Sequence, residues 1–223
     1  MEKRAINPNI KILLDATKGR REGFYLTKIN SSLKELQKYF KKNPKNISVN
    51  IYKNKNNFLK VLNKKNIPDW YIAHIPPKST SQIHIFDNIK SPIKAQTIKQ
   101  VITHEITHLY TNILNPKLPD WLKEGLSVYF AEQIFNPKIN SKNWAKINKN
   151  NSPFNKIKWQ DAVKQDGYNI AGLWVLFFIQ RYGWESVLET FKKQDGSFSS
   201  LARHFEEEPD YLINDFEKKF VNK

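Results

Sequence analysis

The chain has 223 residues, 39% of them hydrophobic and 13% aromatic. That is enough for a sizeable core and too apolar for whole-chain disorder. It contains no cysteine, which excludes disulfide scaffolds, thiolate metal sites and cysteine nucleophiles and leaves only His, Asp and Glu to hold any metal. The net charge of +16 raises nucleic acid or an anionic surface as a partner. Lysine far outnumbers arginine, however, and arginine is the better base reader. A general bias toward Lys, Asn and Ile explains the excess better than a dedicated polyanion site does.

The first residues, MEKRAINPNIKILLDAT, carry charges but no apolar h-region. A cytoplasmic protein is expected, or a secreted one from which a leader has been removed. Residues 1–27 form an N-terminal segment of unknown role, with a basic cluster at Gly19-Arg20-Arg21-Glu22-Gly23. A helix is predicted from Ser32, with Ser32 and Glu35 as a capping box and Ile29, Leu33, Leu36 and Phe40 on one face. Asn43-Pro44 ends it. Residues 47–52, ISVNIY, alternate as a strand, and a short helix is expected over Phe58 to Leu62. Pro68, Pro76 and Pro77 mark a loop carrying Trp70, Tyr71 and His74; residues 81–87, SQIHIFD, then read as a second strand.

From 93 to 114 the period becomes helical, with Pro92 near the start. Asn115-Pro116 and Pro119 break that helix, and another is expected from Asp120 or Trp121 to about Phe135. Residues 136–158 carry six lysines and no acid, and read as a loop-rich insertion or solvated rim. An apolar helix over 169–182 stops at Gly183, and two amphipathic helices follow near 184–193 and 208–220. No stretch of eighteen apolar residues exists, so no transmembrane segment is expected. The pattern is α+β, strands with short helices first and helices afterwards.

The informative residues are H-E-I-T-H, 104 to 108. On a helix His104 and His108 stand one turn apart on one face, so both imidazoles can reach one divalent ion. Glu105 projects beside them, close enough to act on a water without being a ligand. This is zinc-hydrolase chemistry. A chance HExxH has a frequency of roughly 0.6% at this composition, and the amphipathic helix around it makes two idle imidazoles costly. A hydrolytic zinc needs a third protein ligand. His204 is remote, and no third histidine follows the helix closely. The candidate is Glu124, in the first turns of the next helix, with Gly125 allowing close backbone approach.

H-E-x-x-H followed by P-x-W-L-x-E-G-x-x-x-Y resembles the gluzincins, the thermolysin-like zinc metallopeptidases, and in particular small peptidase MA-like domains related to the aminopeptidase branch. The strands, YNIAGLWVLFFIQRYG (168–183) and the C-terminal helices are similar to family segments. The resemblance implies a zincin-like α+β domain over 28–223, with a twisted mixed sheet and zinc helix in an upper half to about 110 and a helical lower half over 111–223. It implies one Zn2+ per chain on His104, His108 and Glu124, with Glu105 as general base and acid. It suggests Tyr168 as an oxyanion donor; the bottom-up alternative is a tyrosine that anchors the start of a helix. In such domains the strand before the zinc helix forms the sheet edge, so 82–86 are expected to pair with an extended substrate.

Two departures follow. The Gly-x-Met-Glu-Asn segment that binds a free amine is absent, since the sole methionine is Met1; an endopeptidase acting on peptide or protein is therefore expected. The thermolysin aspartate four residues beyond the third ligand is replaced by Val128. Asp120 or a backbone carbonyl must orient the imidazole, and Asp120 is read first as a helix cap. Two rivals stand beside this reading. One is a basic nucleic-acid or anionic-surface binder with a structural zinc, using Trp144, Phe154 and Trp159 among the lysines. The other is a zincin scaffold kept latent.

Overall fold

The computed structural model describes residues 10–14, 22–67, 71–87, 95–150, 152–155, 157–194 and 197–222. The remainder of the N-terminal segment (1–9 and 15–21), Pro68, Trp70 and Pro92 lie outside the described residues. The chain divides into two units, Met1–Ile113 and Leu114–Lys223.

The first unit is α+β. In chain order it contains β1 (Ile10–Leu14), α1 (Glu22–Phe40), β2 (Ile47–Tyr52), α2 (Lys55–Leu62), β3 (Ala73–His74), β4 (Gln82–Phe86) and α3 (Ala95–Leu114). The sheet is mixed, in the order β1-β2-β4-β3. β1 and β4 flank β2 in parallel, and β3 runs antiparallel to β4. The alternation of ISVNIY does what it predicts. Ile47, Val49 and Ile51 are buried, and the register sets Val49 opposite Ile83 and Ile51 opposite Ile85 on one face. On the other face Phe58 of α2 stacks on Phe86 with ring centres 5.8 Å apart. β4 is therefore buried on both sides, and its neighbours β2 and β3 occupy both its edges. This overturns the expectation that 82–86 form the sheet edge, because residues 73–74, in a Pro-flanked loop with no strand signal, add themselves outside it.

α1 begins at Glu22, so Ser32 caps nothing. It lies inside the helix, fully buried, and its hydroxyl bonds Thr103 of α3 at 2.7 Å. Tyr25 and Ile29 extend the apolar stripe upstream and carry the helix past the supposed cap.

The second unit is helical: α4 (Asp120–Phe130), α5 (Ser141–Ile147), α6 (Trp159–Val163), α7 (Gly167–Lys193), α8 (Phe198–His204) and α9 (Pro209–Phe220). α7 is its axis. Trp174 is fully buried and stacked on Phe216 of α9, with centroids 3.8 Å apart and planes at 3°. Gly183 breaks α7 as expected, with φ 75° and ψ 157°. α4 stops at Phe130, short of Phe135, and Glu132 takes a left-handed φ of 54°. Asp120 is the first helical residue and Pro119 the cap position; the carboxylate favours the helix start electrostatically rather than as a cap.

The lysine-rich 136–158 stretch is not a bare rim. It contains α5, capped by the Asn140 side chain, and it sends Trp144, Ile147 and Phe154 into the core. α6 is too short to show a periodic stripe, and sequence reading does not give it.

Candidate metal centre

α3 is held by its threonine and aliphatic side. Ile102, Ile106 and Leu109 are buried, Thr107 Oγ1 donates to the Thr103 carbonyl at 2.8 Å, and Tyr110 Oη donates to the Leu33 carbonyl of α1 at 3.1 Å. With that side fixed, His104, Glu105 and His108 come out half-buried. The two imidazoles stand edge to face, with centroids 5.1 Å apart and planes at 72°. This is the arrangement their spacing predicts.

On α4, Trp121, Leu122 and Leu126 are buried and Glu124 is half-buried. Gly125 permits the close approach expected of it, and the neighbour is α7. A Cβ at 125 would lie 2.5 Å from the Ala171 carbonyl oxygen. Gly172 answers from α7, where a Cβ would lie 2.5 Å from Val128 Cγ1. Val128 is buried and packs against the α7 backbone at Gly172, so it orients no imidazole.

His104, His108 and Glu124 each offer one ligand atom, and these atoms lie within 4.8 Å of one another. The group could hold a metal ion. Two imidazole nitrogens and a carboxylate oxygen, with no thiolate, form a donor set suited to a divalent transition metal. Comparison with protein-family models, curated proteins and solved structures finds no match. No helix among the described residues is long and apolar enough to cross a membrane.

Tyr168 lies in the first turn of α7, half-buried, with its ring edge-on to Trp159 at 5.2 Å and 89°. Two of the three aromatics considered for nucleic acid are otherwise engaged. Trp144 donates from Nε1 to Glu217 at 2.6 Å, and Phe154 stacks on Trp121 at 4.9 Å and 6°. Both are buried and neither presents a face for base stacking.

Two further histidines are better placed than their sequence context suggests. His84, an isolated polar residue within its strand, is buried, and its Nδ1 lies 2.9 Å from Tyr52 Oη. His74 is opposite it on β3, with Nδ1 3.0 Å from Tyr71 Oη. Burial lowers the pKa of both rings. For His74, burial together with the positive charge of His84, Lys64 and His108 brings the value down to about 4. A period-two alternation through QIHIF placed His84 on the Phe86 face, which is the signal that a second sheet face is covered; nothing local marks His74.

Proposed function

We propose that this chain is a zinc-dependent metallopeptidase acting within peptide or protein chains. The observation that carries the reading is the convergence of His104, His108 and Glu124 within 4.8 Å, next to a glutamate that follows the first ligand directly. The donor set fits zinc, and a zinc ion held there would polarise a peptide carbonyl and acidify a water.

The chain's own residues have separable roles in this reading. His104, His108 and Glu124 hold the ion. Glu105 takes the proton from the attacking water and returns it to the leaving amine. Tyr168 donates a hydrogen bond to the oxygen of the tetrahedral intermediate. Lack of an amine-binding Gly-x-Met-Glu-Asn segment supports internal cleavage over removal of terminal residues.

The test is metal content by mass spectrometry, with hydrolysis of an unfolded protein substrate measured alongside. Wild type is expected to hold about one zinc per chain. Glu124→Ala is expected to lose most of it. Glu105→Gln is expected to keep the zinc and lose turnover by at least about a hundredfold. A wild type that takes up no zinc when incubated with it, or a Glu105→Gln variant with full turnover, refutes the proposal.

A further inference from the structure

The first unit holds a second polar cluster that the metal ligands do not use. His74 and His84 are directly opposed across the antiparallel β3–β4 pair, so their side chains leave the same face of the sheet. Each ring is fixed at Nδ1 by a phenol, Tyr71 for His74 and Tyr52 for His84. Phenol is the better acid and imidazole the better base, so the tyrosines donate and the ring protons sit on Nε2. Among the described residues neither Nε2 has a hydrogen-bond partner.

The Lys64 ammonium lies 4.9 Å from the centre of the Tyr71 ring, continuing the cluster outward. The groups that His74 feels electrostatically are His84, Lys64 and His108, and none of them is an acid. The cluster therefore presents an ammonium and two oriented N–H donors with no resident anion. That is the complement of a carboxylate, and His108, a candidate metal ligand, acts electrostatically on His74.

We propose that Lys64, His74 and His84 form a carboxylate-binding subsite, which makes the substrate class an acidic peptide. The acid is either a side chain or a C-terminal carboxylate, since both present the same two oxygens. The subsite's purpose rests on the metallopeptidase reading; its ability to bind a carboxylate does not.

The experiment uses the full chain, nitrogen-15 labelled and treated with a chelator, so that no acid reports through a metal. Long-range proton–nitrogen spectra of the imidazoles are followed during titration with three tripeptides. One carries a central glutamate with both ends blocked. The second carries glutamine and a free C-terminus, and the third carries glutamine with both ends blocked. His74 and His84 are expected to show Nε2–H tautomers and saturable shifts with one of the acidic peptides. The fully blocked glutamine peptide is expected to bind roughly tenfold or more weakly. Which acid wins identifies the source of the carboxylate. Lys64→Ala, a change at an exposed side chain, is expected to weaken the acidic peptide severalfold and leave the blocked glutamine peptide unaffected. Nδ1–H tautomers, no shift up to millimolar peptide, or equal shifts with all three peptides overturn the proposal. Zinc content, measured separately on the same protein, decides the metallopeptidase reading. Acid-selective shifts in a chain that never takes up zinc would sink that function and leave the subsite standing.

Discussion

Replacing Gly125 with alanine sets two effects of opposite sign against each other. The added Cβ would meet the Ala171 carbonyl oxygen at 2.5 Å, its carbon at 2.9 Å and Val175 Cγ2 at 3.0 Å. Ordinary carbon contacts begin near 3.5 Å, so α4 and α7 must move apart by roughly 1 Å. Two of the three atoms are backbone, and no rotamer change relieves them. Overpacking of this kind costs about 1–3 kcal/mol, and a rigid neighbour puts the cost at the upper end. Against it, alanine gains about 1 kcal/mol over glycine inside a helix. The expected net loss is about 2 kcal/mol, or about 4–8 °C in melting temperature for a chain of this size. Gly23→Ala in α1, where nothing lies within 4 Å, is the control and should be neutral or slightly stabilising. Urea unfolding followed by far-ultraviolet circular dichroism measures both. Because Glu124 is the preceding residue, the capacity of the His104, His108 and Glu124 group to take up a divalent metal should fall in the first variant alone. A Gly125→Ala protein as stable as wild type, or more so, would refute the close packing of the two helices.

Ser32→Ala should cost about 1–2 kcal/mol, because it strands the Thr103 hydroxyl in the core. Adding Thr103→Val should return most of that loss, whereas two independent sites would simply add; hydrogen exchange in α1 and α3 reports both. Trp144→Phe should cost about 2 kcal/mol by removing the bond from Nε1 to the Glu217 carboxylate, as measured by the urea midpoint. Stability should also fall as pH drops from about 6.5 toward about 4. The His74 ring, facing His84, Lys64 and His108, has a folded-state value near 4 against 6.5 when exposed. The unfolded chain therefore binds more protons across that window, and the contribution is complete above it. The slope is at most about 1.4 kcal/mol per pH unit for one group, and less because the ring is partly solvated. A His74→Gln variant should flatten the midpoint-versus-pH curve over this range.

The legible parts of the chain are those whose physics is local. The spacing of His104 and His108 on a periodic helix fixes their shared face, and the Pro116–Pro119 turn starts α4 shortly before Glu124. The β2 alternation and the Gly183 break are read from neighbours in sequence. The misread parts depend on partners far along the chain. Ser32 looks like a cap until Thr103 supplies another partner for its hydroxyl. QIHIF reads as an edge until residues 73 and 74 add a two-residue strand that carries no pattern of its own. The lysines of 136–158 mask Trp144, whose burial depends on Phe216 and Glu217. Gly125 could be flagged as a close approach, but only the fold names Ala171 as the neighbour.

The placement of the aromatic core decides what light sees in this protein. Five of the six tryptophans fall between Leu114 and Lys223. Among them Trp174 is sealed from water against Phe216 and Phe178. Its emission should be strongly blue-shifted and should move to the red when that unit opens. The sheet, α3 and the histidines add almost nothing to the signal. A fluorescence melt of the whole chain is thus an optical record of the helical unit. The half carrying His104 and His108 holds a single tryptophan, Trp70, and is better followed by tyrosine, amide or imidazole probes.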